Sequence, residues 1–371
     1  MDIVDITIIG AGVVGLAIAA RLGDKNKEIY VLEKNPSFGQ ETSSRHSGVI
    51  HSGIYYPQGS LKSRLCVEGN KLLYEICRKY DVDHKQTGKL IVAAENKELQ
   101  ELEAFFQRGL QAGNRELKLI SGEELKQIEP CVRAVAAIHS PLTGIIDSHG
   151  LMQCYILQAV EKGVQFAYQA EVIGIGKCAE GFQIKVKDVS GEFSFLTRRL
   201  INSAGLYADK IAELAGIDLD KAGYKIHYCK GEYYSVGNGK NKLVQRLIYP
   251  VPSADLTGLG IHITIDLEAR MKLGPSAYYV DELDYSIDSR YKSLFYESAK
   301  AYLPELNFED IEPEMAGIRP KVQGPGDNFR DYIIREEGDK GLPGLINLVG
   351  IESPGLTCSP AIANYVADLC G

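Results

Sequence analysis

Apolar positions along the chain fall into short runs separated by glycine-rich or polar breaks. Asp5-Ile6-Thr7-Ile8-Ile9 has the length and character of a buried strand. Gly10-Ala11-Gly12-Val13-Val14-Gly15 follows at once, then a helical run from Leu16 to Leu22, and a second strand from Glu28 to Leu32 ends on Glu33. Helical spacing returns over residues 61 to 80 (Leu61, Leu65, Gly69, Leu72, Leu73, Ile76) and from Leu99 to Ala112. Ser121 and Glu124 form a capping box that opens a short helix ending before Pro130, and Asp147 or Ser148 begins a helix reaching Lys162. Strands are predicted at 88–94, 164–168 and 171–175, with a hairpin of 182–186 and 193–197. Arg199 to Gly205 reads as a further strand running into a small-residue turn, followed by a helix from Ala208 to Ala215.

From Tyr224 to Met271 the pattern changes to alternating strands rich in Tyr, Ile and His, which suits an antiparallel sheet. Residues 293 to 301 are helical, strands follow near 332–334 and 345–350, and a last helix begins at about Ser359. The fold class is therefore α/β plus α+β. A discontinuous Rossmann-type domain takes residues 1–80, 145–215 and 316–371, and a largely antiparallel second domain takes 81–144 and 216–315.

The first βαβ unit carries chemistry. Gly10 permits a tight turn, Gly12 lets backbone approach a pyrophosphate, and Gly15 lets helix and strand pack closely. Val13 and Val14 open the helix whose N–H groups face the phosphates, and Glu33, followed by Lys34, is placed to accept a ribose 2′-hydroxyl. An acid there disfavours a 2′-phosphate, so NADP is not expected.

A net charge of −8 with no basic stripe argues against a nucleic-acid partner. No apolar run approaches the roughly 20 residues needed to cross a bilayer. The N-terminus reads as a fingerprint strand flanked by Asp2 and Asp5, not as a signal peptide. The eight cysteines are scattered without a C-x-x-C pair, which suits free thiols in a reducing compartment; Cys358 stands out because it falls in the glycine-rich C-terminal segment. The expected location is cytoplasmic, with peripheral contact at the inner membrane face left open.

The expected cofactor is FAD, on three segments. Thr42, Ser43, Arg45, His46 and Ser47 belong to a polar stretch able to follow a ribityl chain. Ala204 and Gly205 make a second small-residue turn where backbone can approach the cofactor. Gly350, Gly355, Leu356 and Thr357 lead into a helix N-terminus suited to negative charge on a reduced flavin. A second G-x-G-x-x-G is missing, so electrons are expected from an organic substrate. No cluster has the ligand count of a metal site.

The fingerprint with Glu33, the run Ser43 to Tyr56, Lys230-Gly231-Glu232-Tyr233-Tyr234, Gly260 to Thr264, Leu273-Gly274-Pro275 and Ala316 to Pro320 together carry a resemblance. Over residues 3–370 the chain resembles the glycine/D-amino-acid oxidase superfamily of FAD proteins, most of all its L-2-hydroxyglutarate dehydrogenase/oxidase branch. The resemblance implies noncovalent FAD, an antiparallel substrate domain, and oxidation of a 2-hydroxy acid to a 2-keto acid. It also implies that the backbone of Val172 reads the adenine. Two departures bear on the substrate: Lys230 stands where relatives often have Arg, and Glu352 to Thr357 is not the Pro-Ser-Pro-Ala type.

Oxidising an alcohol carbon requires a base for the hydroxyl proton and a hydride acceptor, which here is the flavin N5. His51 and His262 are the base candidates, because a neutral imidazole suits that task near pH 7. Arg319, placed at a turn before Pro320, is the candidate carboxylate anchor. Lys230 is the candidate for a distal carboxylate, and Tyr55, Tyr56 and Tyr278 are candidate hydroxyl donors. The expected partners are a small anionic 2-hydroxy dicarboxylate and a quinone, other carrier or oxygen as electron acceptor. Amino-acid or amine oxidation, glycerol 3-phosphate oxidation, and a flavin-binding subunit of a larger complex remain as alternatives.

Overall fold

The computed structural model describes residues 3–251 and 260–371. The part of the Tyr224–Met271 reading that falls on 252–259, and Asp2, lie outside the described residues.

The first sheet has eight strands. The strand Ile3–Ile9 lies parallel between Ile29–Glu33 and the second half of Gly191–Asn202, and Gln165–Tyr168 extends the parallel edge. The helix Val13–Leu22 is apolar on nearly all sides and almost wholly buried, as an interior helix must be. It packs against Ser148–Glu161 and Gly355–Cys370, and Leu61–Tyr80 packs against the latter to complete the layer. Ser60 caps Leu61–Tyr80 by accepting from the Ser63 N–H, so the helix starts and stops where its periodicity predicts.

The second sheet has nine strands, including Lys89–Ala93, Leu247–Pro250, Ile263–Ile265, Met271–Leu273 and His227–Val236. Its own core gathers Leu90, Ile91, Leu247, Ile248, Phe295 and Tyr302. The long strand Ile311–Lys321 pairs antiparallel with His227–Val236 and with nothing on its other side among the described residues. Being an edge strand, it tolerates Pro313 and Pro320.

Three sequence expectations change. The hairpin arm 193–197 and the strand 199–205 are one continuous strand, Gly191–Asn202, antiparallel to Gly181–Asp188 in its first half and parallel to Ile3–Ile9 in its second. It reads as two because one half has a solvated side while Leu200-Ile201-Asn202 is covered on both faces. The last helix starts at Gly355, not Ser359; proline at the cap and glycine in the first turn look like loop but are compatible with a helix start. Arg319 lies inside a strand, not at a turn, opposite Cys229. A domain boundary at 316 would also cut this strand, which pairs entirely in the second sheet.

Candidate active site

The two sheets enclose a cavity of about 750 Å³. One end is formed by Gly10, Gly12, Val13 and Val14 at the turn into the first helix, by Glu33 and Lys34, and by Val172, Ala204 and Gly205. Backbone crowding explains the glycines. A Cβ on Gly10 (φ +101°) would lie 2.6 Å from the Ser203 carbonyl oxygen, and one on Gly15 would lie 2.0 Å from that of Gly10. Gly15 does not itself reach the cavity; it serves the helix–strand packing expected of it.

The Glu33 carboxylate is fixed by the N–H groups of Ala11 (2.8 Å) and Asn35 (2.9 Å). It keeps acceptor capacity toward the cavity it lines. Ser43 Oγ accepts from the Val13 N–H at 3.0 Å, at the helix end where an anion binds best. Arg45 lines the same space, stacks on Tyr285, and has a buried Nε without a partner among the described residues. An open glycine turn at a helix N-terminus, an oriented carboxylate and a buried orphan guanidinium donor fit an extended phosphate-bearing dinucleotide.

Thr42, His46 and Ser47 also line the cavity. His46 brackets its own loop: Nε2 is 2.9 Å from the Ser43 carbonyl, and Nδ1 accepts from the Gly48 N–H at 2.9 Å. Burial pushes its pKa down.

The far end collects His51, Tyr55, Tyr56, Tyr233, Tyr249, His262 and Arg319. The His51 N–H donates to Thr357 Oγ1 (3.0 Å) and its carbonyl accepts from Asn70 Nδ2 (2.9 Å). Thr357 is thus one residue removed from the cavity and positions His51. The His51 Nδ1 is buried without a hydrogen-bond partner among the described residues, and Nε2 is 3.5 Å from Ser353 Oγ. Burial, then the charges of Lys89, His262 and His46, hold its pKa well below the ordinary value of 6.5. His262 is buried and stacks on Tyr249, centroids 3.8 Å apart and planes 14° apart. Among the described residues Arg319 makes two hydrogen bonds, 3.6 Å to Cys229 Sγ and 3.4 Å to the Ser276 carbonyl, so its five donors have capacity to spare.

Of the expected residues, Gly350, Lys230 and Tyr278, like Gly15 and Thr357, do not line the cavity. Gly350 (φ +75°) is packed against Val322. Lys230 and Tyr278 face each other in the sheet register, and period-two alternation puts them opposite Gly231 and Tyr233. Lys230 Nζ pairs with Asp284 at 2.9 Å, and the Tyr278 hydroxyl donates to Glu232 at 2.6 Å. The expectation that Lys230 meets a substrate carboxylate is therefore corrected: its strand turns it away. Cys358 is fully buried, and burial pushes its thiol well above the ordinary value.

Four charged groups went unread in the sequence. Lys62, Glu352 and Lys321 form a buried cluster lining the cavity, with Glu352 Oε1 2.7 Å from Lys62 and 3.7 Å from Lys321. Burial opposes the Glu352 charge, but the two lysines prevail and hold its pKa below the ordinary value. The fourth is Lys89, fully buried at the start of an otherwise apolar strand; that break in the apolar run was its only signal. Among the described residues, no group of three or more His, Cys, Asp or Glu is placed to hold a metal ion, and no helix is long and apolar enough to cross a membrane.

Fold and cavity together define a dinucleotide-dependent enzyme. Residues 5–369 match the model of the FAD dependent oxidoreductase family. The chain is 35% identical to L-2-hydroxyglutarate dehydrogenase, mitochondrial, of Arabidopsis thaliana, over 98% of this chain and 83% of that protein. It is 31% identical to L-2-hydroxyglutarate dehydrogenase of Indibacter alkaliphilus, over 98% of both. Among solved structures it is similar to the FAD-bound, dithionite-reduced L-alpha-glycerophosphate oxidase of Mycoplasma pneumoniae, with a TM-score of 0.87, 28% identity, and coverage of 100% of this chain and 95% of that one. Glycine oxidase of Geobacillus kaustophilus shares the fold, with a TM-score of 0.81 at 19% identity over 100% and 95% of the two chains. The chain belongs to the FAD-dependent oxidoreductase family, and FAD is its cofactor.

Proposed function

We propose that this enzyme oxidises L-2-hydroxyglutarate to 2-oxoglutarate. The observation that carries the reading is that Arg319 and buried His51 line the same cavity. A permanently charged, under-coordinated guanidinium suits a carboxylate. A histidine held neutral by burial suits a hydroxyl proton. The naming of the relatives in Arabidopsis thaliana and Indibacter alkaliphilus supports the particular acid.

In this reading Arg319 forks onto the C1 carboxylate and orients the 2-hydroxyl toward the histidines. His51 takes the hydroxyl proton; His262, held flat on Tyr249, is the second candidate for that role. Bound FAD supplies the two-electron acceptor for the hydride. Gly10, Gly12, Val13, Val14, Glu33, Lys34, Thr42, Ser43, Arg45, His46, Ser47, Val172, Ala204, Gly205, Gly355 and Leu356 would hold it, noncovalently. Tyr55 and Tyr56 supply donors to the substrate. The first sheet's segments form the cofactor domain and the second sheet's the substrate domain. The electrons then pass to a quinone, another carrier or oxygen, and the enzyme works in the cytoplasm or at the inner membrane face.

A second reading, glycerol 3-phosphate oxidation, is favoured by the likeness to the Mycoplasma pneumoniae oxidase. Anaerobic reduction of the flavin, followed by its visible absorbance, separates the two. Bleaching by L-2-hydroxyglutarate and not by glycerol 3-phosphate or amino acids is the expected result. Bleaching by glycerol 3-phosphate alone would replace the reading.

A further inference from the structure

With Lys230 outside the cavity, a second carboxylate needs another counter-charge; Lys62 and Lys321 on the cavity wall already share Glu352, whereas one further buried lysine has no acid beside it among the described residues. Lys89 is the first residue of the strand Lys89–Ala93 and is fully buried. Its Nζ makes no hydrogen bond among the described residues. It lies 4.3 Å from the centroid of the Tyr55 ring and 4.7 Å from that of Tyr249. Both rings line the cavity, and Lys89 does not. The Tyr55 hydroxyl is itself buried and without a partner among the described residues.

A lone buried ammonium is costly, so a lysine with no carboxylate beside it either gives up its proton or is met by a charge that arrives from outside. A cation on a phenol's ring face is attracted by the π electrons and also makes its O–H a stronger donor. The ring carries the lysine's charge toward the cavity while keeping the ammonium out of the reaction space.

We propose that Lys89 makes this cavity selective for a doubly charged acid, its ammonium behind Tyr55 and Tyr249 acting as counter-charge for the carboxylate farther from the reacting carbon. Tyr55 delivers that charge as a hydroxyl donor. The inference rests on the 2-hydroxy-acid reading above and deepens it.

The charge is poised. Burial lowers the Lys89 pKa to about 7. The titratable groups facing it are Tyr55, Tyr249 from the strand Leu247–Pro250, Cys66 from the helix Leu61–Tyr80, and His51. Among the described residues no carboxylate faces it, so a bound second carboxylate favours its protonated form. Raising the pH through 7 removes the proton from the free enzyme and weakens binding of a diacid, not of a monoacid.

The test compares L-2-hydroxyglutarate with L-2-hydroxypentanoate, which has the same carbon count and lacks the second carboxylate, on the flavin-loaded enzyme. Lys89→Met is expected to raise KM for the diacid about 30-fold, as a charge acting across one ring through an effective dielectric of about 20 implies. At pH 7, where burial by itself keeps His51 neutral, its kcat, and both parameters for the monoacid, should move by less than about threefold. Tyr55→Phe, which keeps the ring, should reproduce part of the diacid loss. In the unaltered enzyme the diacid KM should climb from pH 6.5 to 8.5 while the monoacid KM stays level; that readout needs no variant. Equal losses for both acids in Lys89→Met, or a level diacid KM across that range, would overturn the role of Lys89 while leaving the reaction standing. Failure of the unaltered enzyme to oxidise either acid would overturn the reading of the reaction and this inference with it.

Discussion

The two faces of the strand His227–Val236 differ in how their polar neighbours are satisfied. On the face away from the cavity, Lys230 pairs with Asp284 and lies 3.9 Å from Glu232. Glu232 Oε1 accepts from the Tyr278 hydroxyl (2.6 Å) and the Asp288 N–H (3.2 Å), leaving only Oε2 without a partner. On the cavity face, Gly231 and Tyr233 look onto Arg319, with its two hydrogen bonds, and onto the end where His51 Nδ1 and the Tyr55 hydroxyl have no hydrogen-bond partner among the described residues. Buried polar groups ordinarily find partners inside the protein, so a concentration of unpaired ones marks the place a ligand completes. One strand thus carries a finished network on one side and an unfinished one on the other.

The sharpest way to break this comparison is at Arg319. Arg319→Met should lower kcat/KM for L-2-hydroxyglutarate by about 1,000-fold, the loss of a bidentate charged contact at a desolvated site. Flavin content should be unchanged, because Arg319 stands among the substrate-end residues. Steady-state kinetics on the flavin-loaded variant checks this, and a loss below about tenfold would put the anchor elsewhere.

His51→Asn is the next largest. Removing a general base costs about 100- to 10,000-fold, here falling on kcat and kcat/KM together. The pH dependence sharpens it. Burial holds the folded pKa of His51 well below 6.5, so the neutral, proton-accepting form persists as pH falls through 6.5. The acid limb of kcat/KM should therefore lie well below pH 6.5. Stability runs the other way: below 6.5 the unfolded chain binds the proton first, so the contribution of His51 to stability declines with falling pH. An acid limb at 6.5 or above would remove His51 as the base and turn attention to His262.

The cofactor end was legible because local backbone geometry dictates it. Gly10, Gly12, Gly15 and Glu33 sit within one βαβ unit, and the crowding that demands glycine is set by neighbours close in sequence or by the parallel strand beside them. The substrate end was legible only in part. His51, His262 and Arg319 were found by residue type, and they meet because strands far apart in sequence share a sheet. Lys230 was misread because side-chain direction depends on strand register, and shifting by a single residue changes face. Lys89 was missed because its meaning lies in Tyr55 and Tyr249, which only the fold brings over it.

The smallest expected effect on activity comes from the finished face. Lys230→Met removes a buried ammonium from between an exposed Asp284 and a fully buried Glu232. Asp284 is returned to water at little cost, whereas Glu232 loses its nearest counter-charge and keeps only neutral donors. Breaking a buried pair in this way costs about 3–5 kcal/mol when both partners are desolvated, as Lys230 and Glu232 are, and their 3.9 Å separation puts the loss at the low end of that range. Lys230→Met combined with Glu232→Gln should recover most of that loss, because the uncompensated charge goes too. Urea denaturation of both variants measures the pair, and KM for the diacid should stay within about twofold of the unaltered enzyme, since neither side chain lines the cavity. A diacid KM that rises about tenfold in Lys230→Met with stability unchanged would reverse the assignment of the two faces, making Lys230 the counter-charge and Lys89 part of the scaffold.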